Sequence, residues 1–83
     1  MSDIERTITQ FITDEIMVSG KKETLTPDRA LLDERILDSL GLVKLVMFLE
    51  EDFGIHVDDV DIVPENFANI ETIASLVSKL STN

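Results

Sequence analysis

The run from Ile36 to Gly54 constrains the fold more than any other part of the chain. Leu42, Leu45, Val46, Leu49 and Phe53 recur at spacings of three and four, the period of one buried stripe on an α-helix. Asp38 and Ser39 stand just before that stripe. Either can cap the helix, because a short side-chain oxygen accepts from the free N–H groups of a first turn. Gly54 supplies the stop. The spacing therefore predicts a helix over residues 39–53, entered from a loop that delivers an acid and a hydroxyl to its head.

The same helix carries a second apolar set. Leu40, Val43 and Met47 fall together on another face, with Ser39 and Glu50 to one side and Lys44 and Glu51 to the other. A helix in a small domain needs only one buried stripe. The second stripe either packs against further neighbours, leaving Asp38-Ser39 as a cap and nothing more, or it meets a partner. In the latter case a hydroxyl at the head of an apolar stripe bordered by acids reads as a modification or docking site.

Size and charge narrow the partners. The 83 residues form one domain at the small end of what folds unaided, and with no cysteine there is no disulfide or thiolate metal site to support it. Trp and Tyr are absent, so four Phe are the largest fillers of an aliphatic core suited to helices on helices. No apolar run approaches a membrane span and no signal pattern opens the chain, so a cytoplasmic monomer is expected. Seventeen acids against seven bases give a net charge of −10, which disfavours nucleic acid and anionic membranes and favours partners with basic patches. Between residues 39 and 63, Glu50, Glu51, Asp52, Asp58, Asp59 and Asp61 face one base, Lys44. A solvated acidic face accounts for such a cluster; its place beside the second stripe adds weight to docking.

The flanking segments predict the rest of the bundle. Ser2-Asp3-Ile4-Glu5 fits a capping box, and Ile4, Ile8, Phe11, Ile12 and Ile16 share a face, giving a first helix over about residues 3–18 that Ser19-Gly20 ends. A loop over 19–38 follows, with a turn signal at Thr26-Pro27-Asp28. Leu25, Leu31, Leu32, Ile36 and Leu37 pin it across the bundle, with a helical turn near residues 28–32. Pro64-Glu65-Asn66-Phe67 predicts a short helix over about 64–67 that inserts Phe67 into the core. Asn69 caps a last helix over about 70–80, whose inner face is Ile70, Ile73, Ala74, Val77 and Leu80. The expected fold is a single all-α domain: three main helices, one short helix and a long first loop.

The usual catalytic sets are missing. His56, the one histidine, has no glycine-framed serine to serve, and neither a Gly-rich phosphate loop nor a metal-ligand spacing is present. The Asp58-Asp59-Val60-Asp61 cluster lacks the sixth-position glycine and twelfth-position glutamate of a calcium loop. The chain is expected not to be an enzyme and to hold no metal.

With those residues in view, the chain resembles the acyl carrier protein family over nearly its whole length. Asp38-Ser39-Leu40 is similar to the family's attachment motif, and the three-plus-one helices, long first loop, acidic second helix and Glu50-Glu51-Asp52-Phe53-Gly54 ending agree with it. The resemblance implies that Ser39 takes 4′-phosphopantetheine from coenzyme A through a phosphopantetheinyl transferase, with Asp38 and Leu40 completing the motif. The arm's thiol would carry acyl or aminoacyl groups as thioesters, loaded by a ligase or synthase and presented to downstream enzymes. Leu40, Val43 and Met47 would be the contact face, with Glu50 and Glu51 steering basic partners. The lack of cysteine agrees, since any thioester here must sit on an added arm.

Two departures bear on the pathway. Fatty-acid carriers of this family commonly place acids two and five residues after the serine; here those positions are Gly41 and Lys44. The Val63-Pro64-Glu65-Asn66-Phe67 segment resembles free-standing carriers of aminoacyl or specialised type, yet those usually lead into the serine with glycine, and this chain has Ile36-Leu37-Asp38. The expectation is a free-standing carrier of a specialised rather than core fatty-acid pathway, with the cargo open. The alternative is an unmodified acidic adaptor docking a basic partner through Leu40, Val43 and Met47.

Overall fold

The computed structural model describes residues 2–17 and 25–81. Among them all regular structure is helical, with three main helices and short 3-10 turns, which is the expected all-α bundle. Helix α1 spans Asp3–Phe11. Its capping box forms: the Glu5 N–H donates to the Ser2 hydroxyl at 3.2 Å, and the Ser2 N–H donates to the Glu5 carboxylate at 3.0 Å. The chain then widens into a π-turn, Ile12–Ile16, closed by the Met17 N–H on the Ile12 carbonyl at 2.8 Å. Met17 leaves helical geometry (φ −90°, ψ 56°), so helix one ends at Ile16, earlier than the spacing predicts. Packing accounts for the widening: Ile12 is fully buried while Ile16 reaches the head of the next helix, and one longer turn seats both. The Ser19-Gly20 stop lies outside the described residues.

The first loop is pinned as its leucines predict, with Leu25, Leu31 and Leu37 buried. Two backbone bonds tie it to the far end of the domain: the Leu31 N–H donates to the Ala68 carbonyl at 2.9 Å, and the Glu71 N–H to the Pro27 carbonyl at 3.1 Å. Its helical turn comes later than residues 28–32. Pro27-Asp28 closes a separate turn, in which the Arg29 N–H reaches the Thr26 carbonyl, so helical bonding starts only at Ala30, whose carbonyl accepts from the Glu34 N–H at 3.0 Å. The Leu31 carbonyl then accepts from both Ile36 and Leu37, at 2.9 and 3.1 Å. Arg29 donates twice to Glu34 Oε1 across this turn, at 3.0 and 2.9 Å.

Helix α2 is Ser39–Phe53, stopped by Gly54 in the left-handed region at φ 64°. Two 3-10 turns follow, Asp59–Asp61, which the sequence does not announce, and Pro64–Asn66. The Asn66 side-chain amide joins them by donating to the Asp61 carbonyl at 2.8 Å. Helix α3, Ile70–Ser81, starts from a reciprocal cap in which the Thr72 N–H donates to Asn69 Oδ1 at 2.9 Å. Ile8 of α1, Ile12 of the π-turn, Leu45 and Leu49 of α2, Phe67, and Ile70, Ile73 and Val77 of α3 are fully buried and form the core. Phe48 stacks on Phe11 with centroids 4.1 Å apart and meets the edge of Phe53 at 6.4 Å, joining α1 to α2 at the margin of that core. No helix among the described residues is long and apolar enough to cross a membrane.

Candidate functional site at the head of helix α2

Asp38 is the cap. With extended backbone (φ −100°, ψ −173°) it accepts the Gly41 N–H on Oδ1 at 2.7 Å, while its carbonyl accepts from Leu42 at 2.8 Å. That resolves the choice between Asp38 and Ser39. Ser39 becomes the first helical residue, exposed, and its hydroxyl makes no hydrogen bond among the described residues. An alcohol so placed is open to attack chemistry delivered by another protein.

Gly41 explains how the head of the helix is held. A Cβ there would lie 3.2 Å from Asp38 Oδ1 and 3.5 Å from both Ile16 Cγ2 and Leu37 Cδ1. The glycine lets the capping carboxylate, the end of the first loop and the π-turn of helix one close on the same spot. An acidic side chain at 41 would start inside this packing and set a second negative charge beside Asp38. In this chain the Asp38 carboxylate, 3.2 Å from a Cβ at 41, would have to give way to any side chain there.

The second stripe is left uncovered. Leu40, Val43 and Met47 are 65%, 56% and 59% exposed, whereas Leu45 and Leu49 on the opposite face are fully buried. Lys44 and Glu51 flank the exposed stripe from solvent, and Lys44 makes no ion pair among the described residues. Glu50 is placed differently. Its Oε2 accepts the Val57 N–H at 2.9 Å and lies 3.3 Å from His56 Nδ1, so this half-buried carboxylate ties the end of α2 to the following loop. His56 is exposed and also sits 2.9 Å from Asp58. Val60, 80% exposed, adds apolar surface that no sequence pattern announces, since a lone valine among aspartates carries no period.

Leu32, Arg35, Leu37, Asp38, Ser39 and Leu42 line an open depression of about 560 Å³. Arg35 is also missed by sequence reasoning. It takes a left-handed conformation, φ 57°, where the turn over 30–37 reverses, a position ordinarily signalled by glycine or asparagine. An exposed, unbonded hydroxyl with solvent-accessible room beside it fits an arm joined through a phosphodiester.

A family model and curated relatives point to one family, and a solved structure shares the fold. Residues 6–80 match the model of a family described as a phosphopantetheine attachment site. An acyl carrier protein of Nitratidesulfovibrio vulgaris (strain DSM 19637 / Miyazaki F) is 38% identical over 58 residues, covering 70% of this chain and 74% of the relative. The acyl carrier protein of strain DP4 is 34% identical over the same lengths. Among solved structures, one chain in the crystal structure of a FAD-dependent dehydrogenase superimposes with a TM-score of 0.78 at 32% identity, covering 86% of this chain and 99% of that one.

Proposed function

This chain belongs to the acyl carrier protein family of phosphopantetheine-attachment domains, and we propose that its arm is joined at the hydroxyl of Ser39. The family's prosthetic group is 4′-phosphopantetheine, covalently attached, whose thiol holds a carried group as a thioester. The observation that carries the assignment is Ser39 itself, exposed at the first position of α2 with its hydroxyl unbonded. In the attachment reaction, Ser39 Oγ loses its proton and forms a bond to phosphorus. The pyrophosphate P–O bond of coenzyme A breaks, and adenosine 3′,5′-bisphosphate leaves. Asp38 holds the helix head so that Oγ projects outward, and the positive end of the helix dipole favours the phosphodiester that results.

The chain's work is then to carry and present rather than to catalyse. Leu40, Val43 and Met47 form the face that partner enzymes touch, with Glu51 steering basic surfaces toward it. Glu50 contributes field to the same end while its carboxylate serves the fold. The pathway is specialised rather than core fatty-acid synthesis. In support, positions 41 and 44 offer a glycine and a cation where a fatty-acid synthase partner would look for acids.

The test is the intact mass of the protein after incubation with coenzyme A, magnesium and a broad-specificity phosphopantetheinyl transferase. One phosphopantetheine added to the native chain and none to Ser39→Ala is the expected result. No mass change, beside a control carrier that is modified, overturns the assignment and leaves an adaptor role for the exposed stripe.

A further inference from the structure

Arg35 is the residue that the function described so far leaves unused. It stands four residues before Ser39, exposed, and makes no ion pair among the described residues. Its backbone is held in the left-handed region at φ 57° by a ring of bonds: its own N–H to the Leu32 carbonyl at 3.1 Å, and those of Ile36 and Leu37 to the Leu31 carbonyl. A side chain with a Cβ is disfavoured there, and no ion pair among the described residues offsets that cost. The same turn brings Arg35 to the wall of the depression that Ser39 also lines.

Resting on Ser39 as the attachment point, we propose that Arg35 binds the phosphodiester of the attached arm and lays the arm into this depression, on the loop side of α2 rather than along the exposed stripe. Two features of the depression carry this beyond one charge. Its remaining walls are Leu32, Leu37 and Leu42, of which Leu32 and Leu42 are only partly covered by the protein. They offer apolar surface to the geminal methyl groups that follow the phosphate in pantetheine. Its other charged wall, Asp38, is an anion committed to the cap, and a phosphodiester on Ser39 adds a second negative charge next to it. Among the described residues Arg35 is the only cation lining the depression, and its guanidinium is suited to a phosphate by geometry as well as sign. The arm so held leaves Leu40, Val43 and Met47 clear for a partner.

The experiment is isotope-filtered NMR on the loaded protein, with an unlabelled arm on a labelled chain. Contacts from the geminal methyl protons to the Leu32 and Leu42 methyls are expected, weakening in high salt. Arg35→Gly suits the local backbone while removing the cation, so the fold is retained. It should lower these contacts roughly threefold, the scale of an exposed charge pair, and Arg35→Lys should restore most of them. Intact mass separates the two readings. A chain that takes no arm overturns both. A loaded chain whose arm instead contacts Leu40, Val43 or Met47, or whose contacts are equal in Arg35→Gly and the native protein, overturns the role of Arg35 alone.

Discussion

The two apolar faces of helix α2 use the same kinds of side chain and meet opposite fates. Leu45 and Leu49 are fully buried in the core they share with residues of α1 and α3, while Leu40, Val43 and Met47, within one or two turns of them, stay more than half exposed. Hydrophobicity alone does not distinguish the faces. What separates them is which side the loop and the other two helices can reach in a domain with a radius of gyration of 11.7 Å. In so small a domain the uncovered face finds no neighbour among the described residues, and under the proposed function it is the surface left for partners.

The contrast can be broken most directly by truncation. Leu49→Ala should cost about 2–5 kcal/mol in urea unfolding, the range for a fully buried leucine. Met47→Ala should stay within about 0.5 kcal/mol while slowing transfer of the carried group to a partner enzyme. Equal destabilisation by the two would mean that the outer stripe is packed after all. At the junction between the faces, Gly41→Asp should cost about 1–3 kcal/mol, because it drives a charge into the contact of Asp38, Ile16 and Leu37. An unchanged unfolding midpoint would show that the helix head yields easily. Asp38→Ala should cost about 1 kcal/mol through loss of the cap, with the rate of Ser39 modification falling as well. The smallest effect belongs to the acids beyond the outer face. Moderate salt at neutral pH should raise the melting temperature by on the order of 1–2 °C, as repulsion among residues 50–61 is screened. A flat response would show that ties such as Glu50 to Val57 already absorb those charges.

What sequence alone settled about this protein are the features governed by local chemistry and period. The capping box at Ser2, the cap at Asn69, the stop at Gly54, the inner stripe of α2 and the insertion of Phe67 follow from side-chain type and spacing, and each of them forms. The place of Ser39 at a helix head was legible for the same reason, since a short side-chain oxygen before an apolar stripe marks that head whichever of Asp38 and Ser39 is the cap. Tertiary structure decided the rest, because those outcomes depend on what arrives from elsewhere in the chain. Periodicity could not choose between Asp38 and Ser39 as cap, nor say whether the Leu40 stripe is covered, until α1, α3 and the loop took their places. The π-turn that ends helix one early exists to seat Ile12 in the core and Ile16 against Gly41 at once, a demand made by residues far along the chain. Glu50 turned inward because the loop after Gly54 returned the Val57 N–H to it. Arg35 came to share a wall with Ser39 only because the loop is bonded to Ala68 and its final turn reverses at that residue. A pattern in one segment reports which side chains can pack; only the folded whole assigns each of them a neighbour.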